Sequence, residues 1–140
     1  MKSFIEFLNE QRQQANGFAI LKPGFTNYKG EFMNELNKNG WTVLDQWKKK
    51  LSKDQASELY KQHSNQPWYG DLVYYMSSDD SECFKCYKDC KDPIEDMKSI
   101  KQKCRDMWAE DDMHNAVHSS DSLDNVQVEA DICSDVQTVI

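Results

Sequence analysis

Gly17-Phe18-Ala19-Ile20-Leu21-Lys22-Pro23-Gly24 is a short apolar run stopped by a Pro-Gly pair, and its reading sets the frame for the rest of the chain. Proline lacks a backbone donor and glycine admits turn conformations, so the run reads as a buried strand that delivers Lys22 to its end. Downstream, Phe32, Met33 and Leu36 recur at helical spacing within 28–39, and Gly40 supplies a C-terminal stop. Trp41-Thr-Val-Leu-Asp-Gln-Trp47 then alternates as a half-buried strand. Strand, helix, strand is the opening pattern.

The pattern continues. Ser52 with Gln55 forms a capping-box signature for a helix through about Ser64, with Ala56, Leu59, Tyr60 and His63 along one side. Pro67 starts a second helix that carries Trp68, Leu72 and Tyr75. A third strand is predicted at 82–88, and Asp92-Pro93-Ile94-Glu95 combines an N-cap, a proline at the first helical position and an acid, opening a helix to about Cys104. A loop with Arg105 and Trp108 leads to a fourth strand at Asn115–His118, and Ser120 or Asp121 caps a last helix with Leu123, Val126 and Ala130 inward. This order predicts an α+β fold: a ferredoxin-like, four-stranded antiparallel sheet with helices on one face and a helical hairpin between strands two and three. Residues 1–16, with Ser3 as an N-cap before Phe4, Ile5, Phe7 and Leu8, read as an N-terminal helical extension, and 17–140 as the domain.

Composition bounds the function. A 140-residue chain fits one domain that buries about 70% of its unfolded surface. The apolar fraction of 39% and mean hydropathy of -0.85 are low, yet four Trp, six Tyr and six Phe supply large units of burial, so the chain is expected to fold. Net charge is -7, and after His118 there are five acids and no Lys or Arg. Nucleic-acid affinity rests on clustered cations, so no nucleic-acid partner is expected. The Lys48-Lys49-Lys50 run reads as a solvated strand end or loop. No apolar stretch is long enough to span a bilayer, and five cysteines without a paired small-scaffold pattern fit reduced thiols, so a soluble, cytoplasmic protein with no membrane partner is expected. Cys83 and Cys86 lie in a strand-like segment where positions three apart face opposite sides, which argues against a cysteine metal site.

One stretch carries chemistry. Asn115-Ala-Val-His118-Ser-Ser-Asp-Ser122, followed by Glu129, sets a histidine at the end of an apolar run and backs it with hydroxyls and carboxylates. A neutral imidazole, with an unperturbed pKa of roughly 6.5, has a lone pair that attacks electrophiles such as phosphorus. A carboxylate on the other ring nitrogen fixes which nitrogen attacks. The same residues also fit a strand ending at a helix N-cap. Likewise Lys22 fits a strand-end lysine, Tyr60 and Trp68 fit core aromatics, and Arg105 fits a surface ion pair.

From Phe18 to about Ile132 the chain resembles the nucleoside diphosphate kinases, on a strand ending in Lys22-Pro23 and a late Asn115-Ala-Val-His118-Ser-Ser120-Asp-Ser122. The resemblance implies that His118 is the phosphorylated residue of a ping-pong phosphoryl transfer between nucleoside tri- and diphosphates. It implies that Glu129 and Ser120 hold the ring and that Tyr60 lies beside it. Lys22 and Arg105 are implied as phosphate contacts, Asn115 as a ribose contact, Trp68 as the stacking partner of the base and Leu72 as its apolar companion. Mg²⁺ is implied on the nucleotide phosphates rather than on protein ligands, and a homo-oligomer, dimer or hexamer, as the assembly. His63 and His114 match no catalytic position.

The chain also departs from that pattern. Between residues 89 and 105 it is shorter, lacks an Asn-Pro turn and lacks a second phosphate-binding arginine, for which Lys98 is the candidate substitute. Ser119 stands where a glycine is usual. Asp112 falls where an apolar side chain tends to face the base, and with Glu110 and Asp111 it puts negative charge near a polyanion. Two function classes follow: a nucleoside diphosphate kinase, or a catalytically weakened nucleotide-binding or protein-interaction module of the same fold.

Overall fold

The computed structural model describes residues 14–134. Four strands, β1 (Gly17–Leu21), β2 (Thr42–Lys49), β3 (Ser81–Tyr87) and β4 (Val117–Ser119), form one antiparallel sheet in the order β2-β3-β1-β4. Among the described residues five α-helices connect or follow them: α1 (Lys29–Lys38), α2 (Lys53–Leu59), α3 (Tyr69–Met76), α4 (Pro93–Trp108) and α5 (Leu123–Ile132). The α2–α3 hairpin lies between strands two and three, as the sequence predicts.

The expectation of helices on one face alone is corrected. Along β1, Phe18 and Ile20 pack with Leu59, Leu72, Met76 and Val126 from α2, α3 and α5. Ala19 and Leu21 point the other way, to Phe32, Leu36, Met97 and Ile100 from α1 and α4. Successive strand residues face opposite sides, so a strand that is apolar at every position is buried on both. Every residue of β1 is buried. Fully burying a side chain such as Phe18 or Ile20 contributes about 1.5–3 kcal/mol, which makes β1 the spine of two half-cores. Cys83 and Cys86 fall into these opposite half-cores, as their spacing requires.

Element boundaries shift for local reasons. Helix α2 opens on the Ser52–Gln55 capping box but ends at Leu59, and a 3-10 turn at Lys61–His63 replaces the predicted last turn. Trp68, not Pro67, is the cap residue of α3. Helix α4 continues past Cys104 to Trp108, where the Trp108 ring stacks on Tyr28 at 4.5 Å and 9°. Strand β4 starts at Val117 rather than Asn115, because Ala116 has φ 77 and Val117 N–H bonds back to Asn115 O at 3.0 Å. That is a γ-turn in a sparsely populated conformation, of a kind found at functional sites. Ser122, not Ser120 or Asp121, caps α5, since the Ser120 hydroxyl is committed to Glu129. The predicted N-terminal helix falls almost wholly on residues outside the described ones. Residues 14–16, its described end, are not helical, and Asn16 instead extends the β1–β3 pairing by donating its N–H to Cys86 O at 2.9 Å.

No helix among the described residues is long and apolar enough to cross a membrane.

Candidate active site

The β1–β4 pairing sets Ile20 opposite His118, so the end of β1 and the edge strand β4 present Lys22 and His118 in one region. Lys22 is only 4% exposed, and its Nζ donates to Asn115 Oδ1 at 2.6 Å. Asn115 in turn donates Nδ2 to Asp112 O at 2.8 Å, so the γ-turn at Ala116 holds an amide that is used at both ends.

His118 keeps 14% of its side chain open. Its Nε2 lies 2.6 Å from Glu129 Oε1, and the same oxygen accepts Ser120 Oγ–H at 2.9 Å. An oxygen already accepting from a hydroxyl acts as the acceptor for the ring as well, so Nε2 carries the proton and Nδ1 the lone pair. Val126 and Ala130, buried on either side of Glu129 along α5, seat that helix on the β1 face and bring the carboxylate under the ring. Ser120 therefore acts on the imidazole through Glu129.

Tyr60 packs edge-on against the His118 ring, with centroids 5.4 Å apart at 74°. Its hydroxyl is buried and has no hydrogen-bond partner among the described residues. Burial drives its pKa upward, so it remains a phenol.

Three cations converge beside these groups. Burial, then the nearby Arg105 and Lys101, push the Lys22 pKa down to about 7. Burial and Arg105 likewise lower Lys101, and burial lowers Arg105. Arg105 is steered by its Nε donating to Val117 O at 3.0 Å. Neighbouring cations add to the effect of burial at Lys22 and Lys101, while Asp121 offsets part of it at Lys101 and Arg105; desolvated cations gathered in this way suit an anion.

Lys22, Tyr60 and Asn115 open onto a cleft of about 490 Å³ whose other lining residues are His63, Trp68, Leu72, Asp112 and Met113. Trp68 is 41% exposed, with the His63 ring tilted against it at 5.3 Å. His118 stands just behind the cleft, against Tyr60. Among the described residues no group of three or more His, Cys, Asp or Glu is placed to hold a metal ion.

The structure thus brings together His118, Glu129, Ser120, Tyr60, Lys22, Arg105 and Asn115, with Trp68 and Leu72 further along the cleft. Lys98 stands apart from the cleft lining, its Nζ 3.6 Å from Glu95 Oε1. Sequence reasoning missed two residues. Lys101 was hidden because a helix ended at Cys104 leaves Arg105 in a loop; carried to Trp108, α4 sets Lys98, Lys101 and Arg105 on one face. His63 reads as a surface residue until the α2–α3 hairpin folds it onto Trp68. His114 is held by Asp111, with Nδ1 3.0 Å from its carboxylate oxygens, and packs on Tyr75 at 4.3 Å.

Comparison with known proteins bears on the fold and the family. A solved structure of the Aquifex aeolicus nucleoside diphosphate kinase superposes with a TM-score of 0.74 at 21% identity, covering 83% of this chain and 92% of that one. The nucleoside diphosphate kinase 1 of Protochlamydia amoebophila is 31% identical over 121 residues, 79% of this chain and 86% of its own. The nucleoside diphosphate kinase of Chlorobium luteolum is 30% identical over 124 residues, covering 80% and 87%. Residues 15–137 match the model of the family described as nucleoside diphosphate kinase, and the chain belongs to that family.

Proposed function

We propose that this enzyme moves the terminal phosphate of a nucleoside triphosphate to a nucleoside diphosphate by way of a phosphorylated His118. One observation carries the reading: Glu129 holds Nε2 of a partly open imidazole in a region that also gathers the buried Lys22 and the half-buried Lys101 and Arg105. The Nδ1 lone pair attacks the γ-phosphorus, the bond to the β–γ bridging oxygen breaks, and the nucleoside diphosphate leaves with that electron pair. The ring keeps its Nε2 proton throughout, and Glu129 opposes the positive charge that develops on it. The second half-reaction reverses these steps, with a β-phosphate oxygen of the acceptor attacking phosphorus and Nδ1 as leaving group.

Lys22, Lys101 and Arg105 bind and orient the phosphates, Lys98 extends their cationic face, and Asn115 meets the sugar. A phosphoryl group on His118 supplies the partner that the Tyr60 hydroxyl lacks. Trp68 and Leu72 receive the base, and stacking on an indole serves any base. Lys22 in the cleft, with Lys101 and Arg105 beside it, offers cations to the phosphates, which suits Mg²⁺ carried on the nucleotide rather than on protein side chains. When bound there, the ion neutralises charge between the phosphates. Further copies of this chain, as a homo-oligomer, and a cytoplasmic location in which its five thiols stay reduced belong to the same proposal.

Incubation with γ-labelled ATP and Mg²⁺ tests it. An acid-labile, alkali-stable phosphoprotein that loses its label to added nucleoside diphosphate is expected, and His118→Asn abolishes it. Binding of ADP without labelling would leave the nucleotide-binding module as the function.

A further inference from the structure

The 110–115 loop forms one wall of the cleft, and it uses its two aspartates differently. Asp111 is consumed within the loop: Oδ1 accepts from the backbone N–H of Met113 at 2.9 Å and of His114 at 2.6 Å, and the carboxylate holds the His114 ring. Asp112 gives only its carbonyl, to Asn115 Nδ2. Its carboxylate accepts no hydrogen bond and joins no ion pair among the described residues, yet Asp112 lines the cleft beside Met113, in company with Trp68.

That placement has a chemical consequence for whatever ring lies on the indole. A carboxylate has two acceptor oxygens and no proton to give, so it favours an edge with two adjacent donors and opposes an edge of carbonyls. Guanine presents N1–H and N2–H side by side. Uracil and thymine present one N–H flanked by two carbonyls. Adenine and cytosine each offer one amino group next to a ring nitrogen acceptor.

We propose that Asp112 makes this cleft a guanine-preferring nucleotide site, its carboxylate accepting from N1–H and N2–H of a base stacked on Trp68. The inference rests on the cleft being the nucleotide site proposed above. It goes beyond it, because stacking alone is blind to the base. Asp112 also places a negative charge on the wall of a cleft that admits polyphosphate. That charge weakens all nucleotides alike, whereas edge recognition separates them, so the two roles have different signatures.

The test is discharge of the isolated phosphoprotein by GDP and by UDP, which share sugar and phosphates and differ in the base. Wild type is expected to favour GDP by about tenfold in kcat/KM, the scale of one two-pronged hydrogen-bonded base contact. Asp112→Asn removes the charge and turns one acceptor into a donor, an edge pattern that suits the N3–H and O4 of uracil as well as guanine. It is expected to raise UDP turnover more than GDP turnover and bring the ratio to about unity. Asp112→Ala, which offers neither group, brings the same collapse. Equal turnover of GDP and UDP by wild type overturns the proposal and leaves the transfer reading intact, as does a ratio unchanged in both variants while all rates rise. Should His118 take up no phosphate, equilibrium binding of GDP and UDP replaces discharge: an Asp112-dependent preference for GDP upholds the site without turnover, and binding of neither overturns both readings.

Discussion

Glu129 Oε1 lies 2.6 Å from Nε2 of His118 while also accepting Ser120 Oγ–H at 2.9 Å, so one buried oxygen sets the tautomer of the ring and is itself held in place. A hydrogen bond to a charged group contributes about 1.5–3 kcal/mol, and here it strengthens as the ring becomes cationic. Glu129→Gln is therefore expected to slow phosphohistidine formation by about 10- to 150-fold with little change in KM. Ser120→Ala, which loses the outer bond only, slows it by less than about tenfold. Single-turnover labelling measures both, and a Glu129→Gln enzyme with full rate would refute the role of the carboxylate.

Lys22 makes nucleotide binding depend on pH. Between about 7 and its ordinary 10.5 the unfolded chain keeps the Lys22 proton and the folded chain releases it, so stability of the free protein rises with pH across that window. Below about 7 both states are protonated and the cost of the buried charge is felt in full. Bound phosphate favours the charged form, so binding above pH 7 takes up a proton and weakens as pH rises. Calorimetry of ADP binding in buffers of different ionisation enthalpy reads that proton directly. Lys22→Arg, charged throughout, should abolish the uptake; an unchanged proton uptake would assign it elsewhere.

Tyr60 trades stability for function. A buried hydroxyl without a partner costs about 1–3 kcal/mol. Tyr60→Phe removes that cost and keeps the edge-on contact with His118, so the free protein should gain about 1 kcal/mol in urea denaturation while phosphoryl transfer slows. A loss of stability instead would mean that the hydroxyl is bonded in solution.

Gly17 is required by packing. A Cβ there would stand 2.7 Å from Cζ3 and 2.9 Å from Cη2 of Trp41, and 3.1 Å from Cε of Met97. Trp41 is itself buried, so the indole has little room to withdraw. Gly17→Ala is expected to cost about 1–3 kcal/mol by overpacking. Trp41→Phe in the same chain should recover part of it in a double-mutant cycle, and additive losses would count against a direct clash.

Local signals suffice where one residue's chemistry decides the outcome. The capping box at Ser52 and Gln55, the strand stopped by Pro23-Gly24 and the opposed sides of Cys83 and Cys86 all follow from rules that reach a few residues along the chain. No proline or glycine marks the end of α4; the stacking of Trp108 on Tyr28, remote in sequence, supports its last turn. A helix ended at Cys104 therefore leaves Lys101 and Arg105 on separate elements, whereas the full α4 joins them.

The amino-acid sequence by itself determined the order of elements and the apolar character of β1. It also determined the proximity of His118 to Ser120 and Glu129, since a short strand, an N-cap and a helix separate them by little chain. Only the tertiary structure decided that helices cover both faces of the sheet, that Lys22 bonds Asn115 across 93 residues, and that Asp112 faces a cleft shared with Trp68 while Asp111 is spent within its loop. Periodicity reports which side of an element is apolar and is silent on what covers it. Contacts between remote residues depend on strand register and helix docking, and these are set by the packing of the two half-cores as a whole.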